Sequence, residues 1–525
     1  MTVVTFLGHA GLGVEASGFR LLADPWFART GAFLGAWHQF PRNDHLDVTA
    51  LLRDADWVAV SHEHLDHMDL SVLTGLPDRT RVLIPRYGSR VFRERLRSAG
   101  VPRVIELEPW RPFPLDTRGS WITAIPEQSP MCNDAAFLIV ADGQAILNCN
   151  DARLTAAQAR RAKHLAGGRL DLMAVQASGA SWHPICYAYP PEVRVAIEDH
   201  KRVSKYRSVQ RLVRATAPVL AVPFAGPPCF LDPHLRHFNS TADAPGIFPD
   251  AEQAVDWLAE HLPQQRWAAF RPGDRLDLAT GEVAPDPVSA RFSYTDGIDG
   301  YLDRYAADRA ADIASVHAAA ADPGLDLAGL FDAHFSHLGT LSPYFLSRIG
   351  MTVRFEVTGP GGGNWDVRMD ADGLTVDLTG GAPAPEYTFT VAGHWLGAVL
   401  TGQIGWEDLL LSLRLTARRD PDQYNDYLIG LLKHANEGAL RAVEEYETGR
   451  GADVTFVVAD GDNSFEIGRY CPHAGEDLAI GAVIADGVLR CLAHDFAFDL
   501  RTGACVNARC EPLVTRQVDT AMRPA

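Results

Sequence analysis

Cysteine is scarce, eight in 525 residues, too few for a disulfide framework. Apolar runs are short as well. The best of them, such as residues 137–140, are strand-sized and far below the roughly 20 residues needed to span a bilayer, so no membrane segment is expected. The N-terminus, Met1-Thr2-Val3-Val4-Thr5-Phe6, lacks the basic start and small-residue cleavage site of a signal peptide, which points to a cytoplasmic protein. Basic residues are outnumbered, 48 against 66 acidic, for a net charge of −18; that argues against a nucleic-acid or anionic-membrane partner. What is present is an ordinary globular composition, 47 % apolar and 22 % charged. The chain is long enough for three or four domains of roughly 150 residues each.

Residues 3–224 repeat a short apolar run, a turn and a polar insertion. Runs at 3–7, 57–60, 81–84, 137–140, 145–147 and 218–222 read as buried strands, with helical segments at 89–98 and 154–165 between them. The first expected domain is a layered α/β unit over 1–287, ending at Pro285-Asp286-Pro287. An α+β domain is expected over 288–444: a helix at 301–321, alternating strands at 351–357, 365–369 and 374–378, and helices across 406–434. It looks like a sterol-carrier-like fold and contains no clustered ligand set. Residues 445–525 read as an all-β domain of hairpins punctuated by Gly461, Gly475, Gly487 and Gly503, and they hold Cys471, Cys491, Cys505 and Cys510.

Cys471-Pro472-His473 and Cys491-Leu492-Ala493-His494 form C-x-H followed by C-x-x-H. Two thiolates and two imidazoles on paired loops can bind one zinc, or a [2Fe–2S] cluster in which the histidines hold one iron. The surroundings favour the cluster. Gly475, Leu478, Gly487, the run Asp495-Phe496-Ala497-Phe498-Asp499 and Gly503 resemble the Rieske pattern, although Asp495-Phe496 stands where many Rieske oxygenases have Gly-Trp. Cys505 and Cys510 read as structural or free thiols. A Rieske centre passes one electron at a time, at roughly −150 to +300 mV, so the resemblance implies a protein that handles electrons.

Directly after the strand at 57–60 comes Ser61-His62-Glu63-His64-Leu65-Asp66-His67. Such a ligand set at a strand end can serve two metal ions: His62 and His64 point the same way from extended chain, while Asp66 and His67 can turn to a second metal. The string matches the H-x-H-x-D-H motif of the metallo-β-lactamase fold. That resemblance implies an αββα sandwich and further ligands downstream: a third histidine, a bridging aspartate at a strand end and a last histidine. Asp151, just beyond the run 145–147, fits the bridge. At the third place the chain reads Ile125-Pro126-Glu127-Gln128-Ser129-Pro130, and Glu127 is the only strong ligand there. A glutamate suits iron better than zinc and resembles the di-iron hydroxylases of this fold. His234 is the first choice for the last histidine, with His183 and His237 as alternatives. His9 and Asp24, on early strand ends, are expected behind the ligands or against the substrate.

The two modules in one chain resemble the CMP-N-acetylneuraminate hydroxylases. Similar runs include Asp24-Pro25-Trp26, Gly179-Ala180-Ser181, Pro223-Phe224-Ala225-Gly226, Trp406-Glu407-Asp408-Leu409 and Arg419-Asp420-Pro421. That family carries its Rieske module at the N-terminus and a histidine near the Glu127 position, so its sugar-nucleotide substrate is not carried over. The resemblance implies a non-haem di-iron monooxygenase acting on a small molecule with O2 and an external reductase or ferredoxin. One iron would sit on His62, His64 and Glu127, the other on Asp66, His67 and His234, with Asp151 bridging and the cluster on Cys471, His473, Cys491 and His494. Two readings stay open beside it: a zinc-dependent hydrolase of an ester, lactone or phosphoester, and an electron-transfer or redox-sensing protein. The basic segment 200–207 with Arg211 is either an anion-binding group or a solvated helix face.

Overall fold

The computed structural model describes residues 1–129, 133–178, 181–240, 246–320, 324–449, 454–473, 475–493 and 495–518. Pro130, Gly179, Ala180 and His494, all singled out above, lie outside the described residues. The described chain forms two compact units, one built from Met1–Glu127, Asn133–Ser181 and Pro191–His317, the other mainly from Trp182–Pro190 and the chain after Ala318.

In the first unit, strands β1 (Val3–Gly8), β2 (Gly11–Glu15), β3 (Arg20–Ala23), β4 (Trp57–Ala59), β5 (Arg81–Pro85) and β6 (Val104–Leu107) lie side by side in chain order. A second sheet contains β7 (Phe113–Pro114), β8 (Trp121–Pro126), β9 (Ala135–Ala141), β10 (Gln144–Asn148), β11 (Leu172–Gln176) and β12 (Leu220–Phe224); β13 (Arg275–Asp277) and β14 (Val283–Ala284) then extend the first sheet beyond β1. The period of two decides which way each residue faces. On β9, Phe137, Ile139 and Ala141 enter the core between the sheets, together with Val4, Phe6 and Leu12. Ala136 and Leu138 face the other way, into a layer shared with Tyr206, Leu212 and Leu258 from helices Pro191–Thr216 and Ala251–His261. The outer face of the first sheet is covered by helices such as Val91–Ser98, through Phe92 and Leu96. The result is the αββα sandwich expected from the motif. Each buried Phe, Ile or Leu contributes about 1.5–3 kcal/mol to it.

Two chain segments leave the domains in which spacing had put them. Helix Ile298–Ala320, read as the start of the middle domain, packs into the first unit: Leu302, Tyr305 and Ile313 cover Cys229 and Leu231. Trp182–Pro190 belongs instead to the second unit. There, β15 (Met351–Thr358), β16 (Gly363–Asp370), β17 (Gly373–Asp377), β18 (Tyr387–Ala392) and β19 (Leu415–Arg419) form a sheet of order β17-β16-β15-β18-β19. The helices expected across 406–434 are therefore interrupted by a strand. Leu413 turns the chain at φ +58°, and Leu415 and Ala417 then alternate inward with the strand period. The C-terminal module consists of two three-stranded sheets, one of Thr455–Asp460, Asn463–Gly468 and Thr515–Val518, the other of Ala482–Ala485, Val488–Cys491 and Ala497–Asp499.

Candidate metal centre and iron–sulfur loops

Strands β3 to β6 pair in parallel, as do β10 to β12, so their carboxyl ends gather at an edge of each sheet, where α/β proteins bind ligands. Side chains just past β1, β3, β4 and β10 meet there. The turns that bring them together are tight: His9, Asp24 and Asn150 hold φ of +45°, +43° and +48°, values uncommon outside glycine that concentrate at functional sites.

The contacts are short and buried. His62 Nε2 lies 2.8 Å from His64 Nδ1 and 3.8 Å from Asp134 Oδ1. His9 Nε2 lies 3.0 Å from Asp66 Oδ2, and His67 Nε2 lies 3.5 Å from Asp151 Oδ1. Three overlapping groups have the spacing of metal ligands: His62, His64 and Asp134; His62, His67 and Asp151; His9, Asp66 and His67. Asp24 stands behind them, fully buried. Its Oδ1 accepts Ser61 N at 2.7 Å, and its Oδ2 accepts Ser61 Oγ at 2.6 Å and faces His67 Nδ1 at 3.0 Å. A carboxylate on Nδ1 fixes the tautomer and turns Nε2 to the centre. Burial is the largest influence and by itself would raise the carboxyl groups of Asp151 and Asp66, but the surrounding imidazoles together outweigh it and hold both low, His67 with His62 and His9 at Asp151, His67 with His9 at Asp66. Reciprocally, Asp151 and Asp66 outweigh burial at His67 and raise it well above the ordinary histidine range. Such a concentration of negative potential is what retains a cation.

Not every expected residue joins these groups. Glu127 is buried beside them, its Oε2 accepting Arg153 N at 2.8 Å, and Asp134 stands beside His62 and His64, where the family resemblance had put Glu127. The two are linked through the backbone, Glu127 N donating to Asp134 O at 2.8 Å. His234 is exposed, two residues beyond the buried Asp232, and His9 stands where it was expected, beside Asp66 and His67. His237 is also exposed, against Phe238. His183 lies in the second unit, where its ring meets Tyr189 Oη and Arg419 Nη2, each at 3.1 Å. Asp134 carried no signal beyond being an acid immediately before a continuously apolar, buried strand.

The basic segment divides. Lys205 donates to Gln176 Oε1 at the end of β11. Burial, then Arg153, lower its amine to about 7, against the opposing pull of Asp151 and Glu127. Lys201 donates to Ser181 Oγ at 3.2 Å. His200 and Arg207 are exposed, whereas Arg211 is buried and donates to Leu154 O at 3.3 Å.

In the C-terminal module the two ligand loops share a backbone design. Gly475 N donates to Cys471 O at 2.8 Å and Cys471 N to Glu476 O at 2.8 Å; in the other loop Asp495 N donates to Cys491 O at 3.0 Å and Cys491 N to Phe496 O at 2.9 Å. The fourth residue after each cysteine is left-handed, Gly475 at φ +70° and Asp495 at φ +66°. Aspartate tolerates this region better than most residues, and Arg490 Nη1 ties its carboxylate at 3.0 Å. Both cysteines are fully buried in one apolar core, unbridged, and His473 Nε2 faces Asp426 Oδ2 at 3.6 Å. A pair of buried, unbridged thiols on matched loops fits a [2Fe–2S] donor set.

Comparison with known proteins identifies a family for each of the two regions. Residues 3–158 match the beta-lactamase superfamily domain and residues 433–517 the Rieske [2Fe-2S] domain. A protein from Mycolicibacterium smegmatis assigned as a Rieske 2Fe-2S iron-sulfur protein is 28 % identical, over 97 % of this chain and 100 % of its own. The cytidine monophosphate-N-acetylneuraminic acid hydroxylase of Cricetulus griseus is 24 % identical, over 80 % of this chain and 73 % of its own. Among solved structures, CmlA, a diiron beta-hydroxylase from Streptomyces venezuelae, aligns with TM-score 0.36 and 16 % identity over 54 % of each chain. The chain thus carries an N-terminal metallo-β-lactamase-like domain and a C-terminal Rieske domain, and its homologues include CMP-N-acetylneuraminic acid hydroxylases and Rieske iron–sulfur proteins.

Proposed function

We propose that the protein is a Rieske-assisted, non-haem di-iron monooxygenase that hydroxylates a small-molecule metabolite. Its Rieske domain and hydroxylase homologues support an oxidoreductase. One observation carries the reading at the N-terminal centre: Asp66 Oδ1 is buried without a hydrogen-bond partner among the described residues, and His67 Nε2 and Asp151 Oδ1, equally buried, face each other at 3.5 Å without completing a hydrogen bond. Leaving each unsatisfied costs about 1–3 kcal/mol, a cost that ligation removes.

In this reading His62, His64 and Asp134 hold one iron, His9, Asp66 and His67 the other, and Asp151 stands between; Cys471, His473, Cys491 and His494 hold the cluster. When bound, the iron pair supplies O2 chemistry and the cluster one-electron transfer, neither of which zinc offers. The balance is RH + O2 + 2 e⁻ + 2 H⁺ → ROH + H2O, with the electrons drawn from an external reductase or ferredoxin. The protein's own residues orient and protect. Asp24 and Ser61 set the His67 ring, and Arg153 N holds Glu127 Oε2 at 2.8 Å. Lys205, whose amine burial lowers to about 7, can give or take a proton at Nζ. Among the described residues no helix is long and apolar enough to cross a membrane.

Metal and sulfide analysis of the purified full-length chain, the electron-spin signature of a reduced Rieske cluster, and reductant-dependent O2 uptake test the proposal. Iron in the N-terminal centre, and products heavier by one oxygen from a metabolite mixture, are expected. Zinc filling that centre, with ester or lactone hydrolysis and no O2 uptake, overturns it in favour of a hydrolase.

A further inference from the structure

Four cysteines fall in the C-terminal module, and only Cys471 and Cys491 stand in its ligand loops. The other two, Cys505 and Cys510, are both free, and their thiols are in hydrogen-bond contact. Cys505, 8 % exposed, belongs to the same apolar core as the loop cysteines, with Cys510 half-buried against it.

The segment between them braces both ligand loops. Asn507 Nδ2 donates to Asp495 O at 2.8 Å, and its Oδ1 accepts Ala497 N at 3.0 Å, which clamps the chain just after Cys491. The Cys505 thiol also donates to Asn507 Oδ1, at 3.4 Å. On its other side, Ala508 and Arg509 pair in parallel with Tyr424 and Asn425. Asn425 caps the helix Asp426–His434 through Leu428 N at 2.9 Å, and Asp426 is the carboxylate that faces His473 Nε2. A covalent bond from 505 to 510 would therefore close a ring whose members touch the supports of both loops.

We propose that Cys505 and Cys510 are a redox-active dithiol, and that its oxidation to an intrachain disulfide changes the Rieske centre by reshaping this shared brace. A low-molecular-weight disulfide, R′SSR′, is the oxidant. The Cys505 thiolate attacks one sulfur of R′SSR′, so that its S–S bond breaks, a mixed disulfide forms, and R′S⁻ leaves with the proton that Cys505 gave up. Cys510 then loses its proton to the second R′S⁻ as its sulfur bonds to Cys505. The net change is two protein thiols and R′SSR′ becoming one protein disulfide and two R′SH, a two-electron oxidation. Each thiol proton also has an oxygen acceptor, Asn507 Oδ1 at 3.4 Å for Cys505 and Glu511 O at 3.5 Å for Cys510.

Oxidised glutathione and the cluster-loaded full-length protein provide the test. Arg509 lies between the two cysteines, so trypsin after thiol alkylation separates 502–509 from 510–516 unless a disulfide joins them. The expected result is a stoichiometric joined pair, lighter by two hydrogens and released by dithiothreitol, together with a reversible shift in the g-values or midpoint potential of the reduced cluster. Cys510→Ser should abolish both. Recovery of the two peptides apart, or a joined pair that leaves the cluster's spectrum and potential unmoved, overturns the proposal. Should Cys510→Ser fail to load its cluster, the dithiothreitol-reversible shift in the unmodified protein decides alone.

Discussion

Replacing Asp24 by asparagine changes one atom of the buried support behind the proposed iron centre. Asparagine keeps the size, and its Oδ1 can still accept Ser61 N, now at 2.7 Å. At the other position an NH2 replaces the oxygen that faces Ser61 Oγ and His67 Nδ1 at 2.6 and 3.0 Å. The serine hydroxyl can rotate to accept; the imidazole has only its tautomer to change. With a donor against Nδ1, the proton moves to Nε2, the nitrogen aimed at the metal, and ligation is blocked until it is removed. Loss of such a support lowers metal affinity by about 10–100-fold, which is about 1.4–2.7 kcal/mol. Anaerobic competition for Fe(II) with a chromogenic chelator measures it, with His234→Ala, at an exposed site, as the control expected to match the parent protein. A thermal melt of both apo proteins checks that the fold is kept. Iron retention by Asp24→Asn equal to the parent's refutes the tautomer argument, whatever the melt shows.

Asp134→Ala should lose one of two bound irons while Glu127→Ala keeps both; the reverse pattern in metal analysis would return Glu127 to the ligand set. His38 is lowered from 6.5 to about 4, by burial and then by Arg309, so the unfolded chain takes up its proton first as pH falls. The stability that His38 contributes is present above about pH 6.5 and is lost toward pH 4, by about 2 kcal/mol between pH 7 and 4.5; urea unfolding of metal-free protein should show this loss, and His38→Phe should lack it. Gly475→Ala forces a side chain onto φ +70° and brings its Cβ within 3.0 Å of Gln128 Oε1, a penalty of about 1–2 kcal/mol, read as loss of the Rieske signal at lower temperature. Phe137→Ala opens the core between the two sheets and should cost the first unit about 3–5 kcal/mol in denaturant unfolding; a change under 1 kcal/mol would mean that the core collapses around the gap.

Contiguous chemistry was readable from the chain. His62, His64, Asp66 and His67 share one turn after one strand, so their order in sequence is their order in space, and Asp24 and His9 were recognisable as strand-end residues. Asp134 was not, because a backbone bond to Glu127 places it and no pattern of spacing reports that bond. His234 shows the complementary error: a histidine in a plausible interval carries no mark of the exposure that removes it from the site. The helix Ile298–Ala320 fits a polar surface or a buried face equally well by composition. Its contacts reveal the unit to which it belongs: Leu302 and Tyr305 pack with Cys229 and Leu231, and the Arg42 guanidinium lies 4.6 Å from the Tyr305 centroid.

The donors of the N-terminal centre come from position 9 through position 151, carried by both sheets of the sandwich. In the unfolded chain they are scattered, so a metal pair has no comparable binding partner there, and its affinity is folding free energy. A metal concentration one hundred times the dissociation constant adds about 2.7 kcal/mol for a single site, as much as a disulfide closing a short loop. On the proposed reading the loaded centre acts as a reversible cross-link between the two sheets, and iron starvation should reach this protein first as a loss of resistance to proteolysis.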